Sequence, residues 1–570
     1  MDIAADLHRA RRLAYAADHV AARELLLSLM APIEQADRDD QILEVFAQLG
    51  EIYLERTAFD GVRECLRRMR DTVAIYRAIL AGDAPEAAAQ VTMPAADITA
   101  MCDRYELYAA FLQAGLSAGL GDHDGAAQSV EQMARRVESG PARRVVTRAQ
   151  VYCATALCDD DQHIRSQPLW QDIIDSVESD SRGGDSGDDG DHLLVQAALA
   201  YGRFCIETGR LAEAEPWLRR AGSRAEARGW PLGTARAGLE RAAACWSAGD
   251  YAATERIVAE VYPVIAEQAR AHDVARCWLY TGLTNLAVGN IERADECWAN
   301  AERQWRELDK PLHIHRILLQ RSWIPIFFGR FADAVELIAQ ARTQLDSSPR
   351  SSWLQYARLD DQLGTVYRAE ALTELGFDAA GDPDDSWDEL EEKHKQSRGI
   401  IVEPIGTPAF QRAVAILERA AELKLPAALA VDSVRYTIED AAARSRWAAK
   451  VAAPMLAGSF AVVYEWENTA LLAELIEYHS ARGAFAPATV AQSADWTTTA
   501  TEPLPVDDDA ALVAAGASWP RRASLTRLRP LPPLQMDPGA PPLLAHYREL
   551  AHTRYGRAVT ADETPWRTWP

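Results

Sequence analysis

Apolar residues in this chain recur three and four places apart, in blocks separated by short polar turns, which is the spacing of amphipathic helices. Between Val195 and Ala341 one local arrangement returns four times at a constant step along the numbering. It reads Gly209, Leu211, Ala214; Gly249, Tyr251, Thr254; Gly289, Ile291, Ala294; and Gly329, Phe331, Ala334. Four places beyond each small residue stands a larger one: Leu218, Val258, Trp298 and Ile338. A period of roughly 20 to 50 residues marks a stacked-repeat architecture, and this step falls inside that range, so the pattern predicts the fold before any motif is considered.

Each glycine stands where a helix must end in left-handed backbone, a conformation that side chains resist. Gly209, Gly249, Gly289 and Gly329 are therefore predicted to close the first helix of a pair. The small residue on the second helix lets the two axes approach, and the larger one fills the space between neighbouring pairs. Each unit is predicted to be an αα-hairpin, with Val195–Thr208 and Ala275–Val288 as examples of the first helix.

The arrangement resembles the tetratricopeptide repeat (TPR), a helix-turn-helix of about 34 residues. Phe46, Leu49, Gly50, Tyr53, Phe59, Val62 and Leu66 follow its pattern, Leu363, Gly364 and Tyr367 repeat its first half, and Tyr201 and Gly202 stand in its Leu-Gly places. The other array units depart there, with Arg241 and Ala242, Thr281 and Gly282, Arg321 and Ser322. The resemblance implies an all-α, right-handed α-solenoid of TPR-like hairpins with a proline-rich, partly irregular C-terminal tail. Leu425–Gly483 and the tail are also similar to actinobacterial TPR proteins that accompany CHAT proteins, which are caspase-like proteases. That likeness implies a regulatory array acting with a separate effector. It implies no protease here, because no cysteine follows Cys297 to serve as nucleophile.

The expected layout is N-terminal TPR-like pairs over 1–177, a mobile acidic loop over 178–191, the regular array over 192–345, further helical repeats over 346–483 and a proline-rich tail over 484–570. The loop is predicted because ESDSRGGDSGDDGD has little apolar surface to bury. It fails as a calcium loop, since Gly187 and Gln196 fall where oxygen ligands belong. A short charged helix is expected between 391 and 398, and another from about Pro542 to Tyr555.

Charge then narrows the function. A formal net charge of −24 argues against a nucleic-acid surface, which needs a basic footprint. The absence of a basic, apolar N-terminal signal predicts a cytoplasmic protein. The longest apolar run, Trp447–Tyr464, contains Lys450, Pro454 and Gly458 and suits buried helices better than a membrane span. The eight cysteines form no Cys-x-x-Cys pair, and Cys205 and Cys245 are expected as small core residues.

No P-loop, His-Glu-x-x-His or Gly-x-Ser-x-Gly motif occurs, so no enzyme, cofactor or metal is expected. His313 and His315 flank Ile314 too closely to share one face of a helical turn.

One pattern at array spacing remains. Arg236, Arg276 and Arg316 keep the step of the glycines on successive first helices, joined by Arg203 and the aromatics Trp246, Trp323 and Phe327. Such a column on a concave face suits a protein partner, either an acidic peptide or an effector protein such as a protease. The competing expectation is structural: Glu215, Glu255 and Asp295 share the step and could consume the arginines in salt bridges between repeats. A ligand-sensing module of a signalling or transcription regulator is the second functional expectation. In the tail, Trp566 and Trp569 are expected either to help cap the last helix pair or to dock on a partner.

Overall fold

The computed structural model describes residues 2–89, 91–137, 140–182, 187–376, 406–438, 441–481, 530–537 and 539–567. The short charged helix between 391 and 398, the tail segment 484–529 and Trp569 lie outside the described residues. The fold is an all-α helical repeat of the solenoid kind, as the recurring glycine pattern predicts.

The helices are α1 (Ile3–Tyr15), α2 (His19–Gln35), α3 (Asp39–Glu55), α4 (Phe59–Ala81), the single turn α5 (Pro85–Ala88), α6 (Ala95–Gly119), α7 (His123–Arg136), α8 (Pro141–Asp159), α9 (His163–Arg182) and α10 (Gly187–Glu207). The array continues with α11 (Leu211–Ala227), α12 (Pro231–Ser247), α13 (Tyr251–Glu267), α14 (Ala271–Ala287), α15 (Ile291–Glu307), the broken pair α16 (Pro311–Arg321) and α17 (Trp323–Phe327), and α18 (Phe331–Ser347). Then come α19 (Trp353–Glu374), α20 (Pro408–Ser433), α21 (Ala441–Trp447), α22 (Ala453–Glu465), α23 (Thr469–Ala481) and, in the tail, α24 (Ala545–Tyr555).

Most array helices are 17 residues long. They start at evenly spaced positions, Leu211, Pro231, Tyr251, Ala271, Ile291, Pro311 and Phe331, so the helices repeat at half the step of the glycines. Gly209, Gly249, Gly289 and Gly329 all have positive φ, as their C-cap role requires. The intervening turns adopt the same conformation at Gly229, Ala269 and Asp309. The turns at Gly229, Gly249, Gly289, Asp309 and Gly329 close with an i to i−5 backbone bond, for example Asn290 N to Asn285 O at 2.8 Å and Asp250 N to Cys245 O at 2.9 Å.

The small residues Ala214, Thr254, Ala294 and Ala334 are fully buried, and Leu218, Val258, Trp298 and Ile338 are buried beside them. Gly202 and Gly282, in the last two turns of α10 and α14, show why the pattern wants glycine there. A Cβ on Gly202 would stand 2.4 Å from Leu218 Cδ2, and one on Gly282 would stand 2.4 Å from Trp298 Nε1.

The acidic tract 178–191 departs from the loop expected of it. Glu178 to Arg182 finish α9 and Gly187 to Asp191 open α10, with 183–186 outside the described residues. The aspartates are paired: Arg228 binds Asp188 at 2.7 Å and Asp191 at 2.5 Å, and Arg224 binds Asp191 at 2.9 Å. Composition read as solvated loop is, in three dimensions, a charge-compensated helix start, where acidic residues also suit the helix dipole.

The chain divides into two compact units. The first comprises Met1–Cys205, Glu213–Arg241 and Pro263–Gln268, and the second Ile206–Ala212, Ala242–Tyr262 and Ala269–Pro570. In the first, one apolar core runs from Leu7 to Cys153. In the second, a core joins α19, α20, α22 and α23 to the tail residues Leu534, Leu543, Leu544, Tyr547, Ala551, Tyr555 and Val559. The tail thus caps the second unit, and Tyr555 donates to Asp360 at 2.7 Å beneath it. Trp566 is not the anchor: it is 50% exposed, in a short parallel pairing of β2 (Trp566–Arg567) with β1 (Leu534–Gln535). One helical stretch among the described residues, Ala441–Glu465, is long and apolar enough to cross a membrane; it contains a π-turn at Ala448–Ala452 and buries Met455, Leu456, Val462 and Val463.

Candidate functional site

The expected arginine column divides between the units. Arg236 belongs to the first, and Arg276 and Arg316 to the second; all three are half-buried, on α12, α14 and α16. Arg203 is half-buried and pairs with Asp159 at 2.8 Å, which accounts for it structurally. The acids weighed against the column have partners of their own. Glu215 is held by Arg219 at 3.0 Å and Arg241 at 3.3 Å, and Asp295 by Arg321 at 2.9 Å. A second arginine series, further along the same first helices at Arg241 and Arg321, therefore engages two of the acids expected to bind the column. Between them Thr281 replaces arginine, and Glu255 is exposed.

In the second unit Trp246 lies against Tyr280, with ring centroids 6.5 Å apart, and Arg276 precedes Tyr280 by one turn of α14. Trp323 and Phe327 sit half-buried on α17 against the core of the neighbouring repeats. His313 and His315 face different neighbours, His313 with its ring 4.9 Å from that of His272 and His315 buried with Nδ1 3.3 Å from the Ala341 carbonyl. Cys205 is fully buried and Cys245 half-buried. Burial pushes the thiols of Cys65, Cys153 and Cys277 up to about 12, which keeps them protonated and poorly nucleophilic.

A dense polar constellation lies elsewhere, where the first helices of the first unit meet. Glu44 of α3 binds Arg11 of α1, and accepts from Arg104 of α6 at 2.9 Å, Tyr105 at 3.0 Å and Gln48 at 2.9 Å. Burial raises the Glu44 carboxyl, but Arg11 and Arg104 outweigh it and hold the group below its ordinary range. Arg148 of α8, only 4% exposed, pairs with Glu51 of α3 at 2.8 Å. Burial wins at Glu51, with Glu55 adding repulsion against the pull of Arg148, so this carboxyl is pushed up. Tyr15 of α1 donates to Asp189 of α10 at 2.5 Å and stacks on His192 with centroids 4.0 Å apart, while Trp230 packs edge-on to both. Burial holds the His192 imidazole down to about 4.

This face opens into a cleft of about 790 Å³. Six arginines line it: Arg11, Arg70, Arg104, Arg136, Arg144 and Arg148. Such a concentration stands out in a chain with 84 acidic and 60 basic residues. A scan of protein-family models and a search of curated proteins both return no match. The TPR likeness therefore stands on the packing residues themselves.

None of the cleft arginines belongs to the expected column, although part of the signal was present. Arg104 and Arg144 are separated by the array step, as are Tyr108 and Arg148, so the register reaches back beyond Val195. The glycine pattern itself recurs there at Gly121, Ala126 and Val130, but out of step with the array, and other turns carry Thr57 and Asp161 in its place. The contacts of α1 with α10, across the long sequence separation between Tyr15 and Asp189, have no local signal at all.

Proposed function

We propose that the chain is a non-catalytic protein-interaction module that works with a separate effector, of which a CHAT-type protease is the class suggested by sequence resemblance. The observation that carries this is the half-buried arginine and aromatic set on first helices of the second unit: Trp246, Arg276, Tyr280, Arg316, Trp323 and Phe327. Arginine and tryptophan dominate interface hot spots because they combine contact area with directed polar groups, and guanidinium groups favour a carboxylate-bearing segment. The stacked-repeat fold supports the same reading, since repeats leave long continuous faces without needing a closed core. The buried, protonated thiols fit a module whose chemistry is done by its partner.

The test is affinity capture from native extract with the parent chain and with an Arg276→Glu, Arg316→Glu double variant whose circular dichroism and melting are unchanged. An effector protein held by the parent and lost by the variant is the expected result. Undiminished capture by the folded variant would overturn the assignment of this face.

A further inference from the structure

We propose that the cleft of the first unit is a binding site for a small organic molecule carrying a phosphoryl or carboxylate group, bound at the α7–α8 end with the rest of the molecule reaching in towards Arg148 and Tyr108. This inference is independent of whether the second unit docks a protein.

Charge accounting within the cleft is the first support. Its carboxylates are already engaged: Asp103 and Glu106 are held by Arg77 at 2.6 and 2.7 Å, and Asp189 by Tyr15 and Arg11. On the cationic side Arg11 and Arg104 share Glu44, Arg144 binds Asp180 at 3.0 Å, and Arg148 binds Glu51. Arg136, in the last turn of α7, has no carboxylate partner among the described residues, and Arg70 is met only by the Gln113 amide oxygen at 2.9 Å. Among the described residues the surplus at this wall is positive.

The local backbone points the same way. The cleft is bounded by Pro141 and Ala142, the first residues of α8, whose N-terminus has no side-chain cap. Pro141 has no N–H and Arg143 N bonds Gly140 O at 3.0 Å, so among the described residues the Ala142 N–H, at the positive end of the helix dipole, is left to meet an oxyanion. Arg144 follows on the same face, and Arg136 approaches from the end of α7.

One buried group on the floor lacks a partner, and it carries the inference beyond a helix end. Arg148 lines the cleft and is 4% exposed, yet its Nε finds no acceptor. Tyr108 lines the cleft beside it, 9% exposed, with Arg104 over its ring. A buried donor without an acceptor costs about 1–3 kcal/mol, so Arg148 Nε marks a place where an acceptor belongs. Along α8 from Pro141 to Arg148 the helix rises roughly 10 Å, at about 1.5 Å per residue. The spacing fits a molecule with its anionic group at the α8 start and a neutral acceptor, such as a carbonyl or hydroxyl, at the floor. The volume is in the range of small-molecule sites, and Leu107, Met133, Val137 and Val145 supply an apolar wall.

The experiment is isothermal titration calorimetry on the full chain at physiological ionic strength, with inorganic pyrophosphate, citrate and a hexaglutamate peptide as probes. Saturable one-to-one binding of pyrophosphate or citrate is expected, weakened at least tenfold by Arg136→Ala. Arg136 is exposed and has no carboxylate partner among the described residues, so this variant should fold as the parent does. Arg135→Ala is the control, because Arg135 pairs with Glu131 at 2.7 Å and does not line the cleft; it should bind as the parent does. Absence of binding by both small anions, equal binding by Arg136→Ala, or an equal loss in Arg135→Ala would overturn the proposal. Binding of hexaglutamate alone would also overturn it, in favour of a peptide groove.

Discussion

The first helices of the two units are built to one pattern and stabilised by different chemistry. In the second unit buried charges come largely in local sets. Arg368 grips Glu465 with two hydrogen bonds, at 2.7 and 2.5 Å, and Lys424 of α20 is held by Asp361 at 2.7 Å and Thr365 at 2.9 Å. In the first unit Arg11, Glu44, Arg104 and Asp189 join α1, α3, α6 and α10 in one connected network, with the Arg148–Glu51 pair tying α8 to α3 beside it. Separable pairs can be exchanged for packing, whereas a network fails as a whole.

Breaking one partner at a time gives the largest expected effect. Arg368→Ala leaves Glu465, 2% exposed, as a lone buried carboxylate, and should destabilise the second unit by about 3–5 kcal/mol. The Arg368→Met, Glu465→Leu double variant should recover to within about 1 kcal/mol of the parent, since well-packed apolar replacements of a buried pair are often neutral. The matching Arg11→Met, Glu44→Leu change in the first unit should not recover, because Arg104, Tyr105 and Gln48 lose their common acceptor. Urea titrations followed by tryptophan fluorescence measure both. Equal recovery in the two units would erase the distinction.

A smaller effect separates the units by pH. His192 is buried and neutral in the folded first unit, with its pKa held near 4 against an ordinary 6.5. Between those values the unfolded chain binds the extra proton, so stability falls as pH is lowered from about 6.5 to about 4, by about 3 kcal/mol from this group. Glu51 acts in the opposite sense: its raised pKa contributes stability that is present in acid and lost as pH rises through the folded value. His192→Phe keeps the stack on Tyr15 and leaves Glu51 in place, so the difference between variant and parent isolates the imidazole. Melting temperatures across this window should converge as pH falls if the variant starts less stable, and an unchanged pH slope would refute the assignment.

The all-α repeat was legible because its register is repeated: one glycine, one small residue and one large residue per step are enough to predict hairpins. Gly202 beside Leu218 and Gly282 beside Trp298 show that these positions record interhelical contact. The acidic start of α10 is not legible in composition because its aspartates are satisfied by Arg224 and Arg228, at the C-terminal end of α11. The cleft arginines were missed for a related reason. Their helices vary in length and their turns alternate glycines (Gly82, Gly121, Gly140) with Ala17, Asp37, Thr57 and Asp161, so no constant step marks them.

Those turns make the final and smallest test. Ala17, Asp37 and Thr57 adopt φ of 67°, 53° and 56° between α1, α2, α3 and α4, the backbone that Gly249 and Gly289 supply in the array. Ala269 does the same at 49° inside the array itself. A side chain in left-handed backbone costs about 1–2 kcal/mol, while glycine costs up to about 1 kcal/mol through the freer unfolded chain. Packing of the hairpins therefore holds Ala17, Thr57 and Ala269 in a conformation they do not prefer. Gly249→Ala and Gly289→Ala should each destabilise by about 1 kcal/mol, and Ala17→Gly, Thr57→Gly and Ala269→Gly should each stabilise by about 0.5 kcal/mol. Denaturation midpoints of the five variants decide it: if the glycine insertions destabilise, side-chain contacts at those turns outweigh backbone strain, and the two kinds of turn are not equivalent.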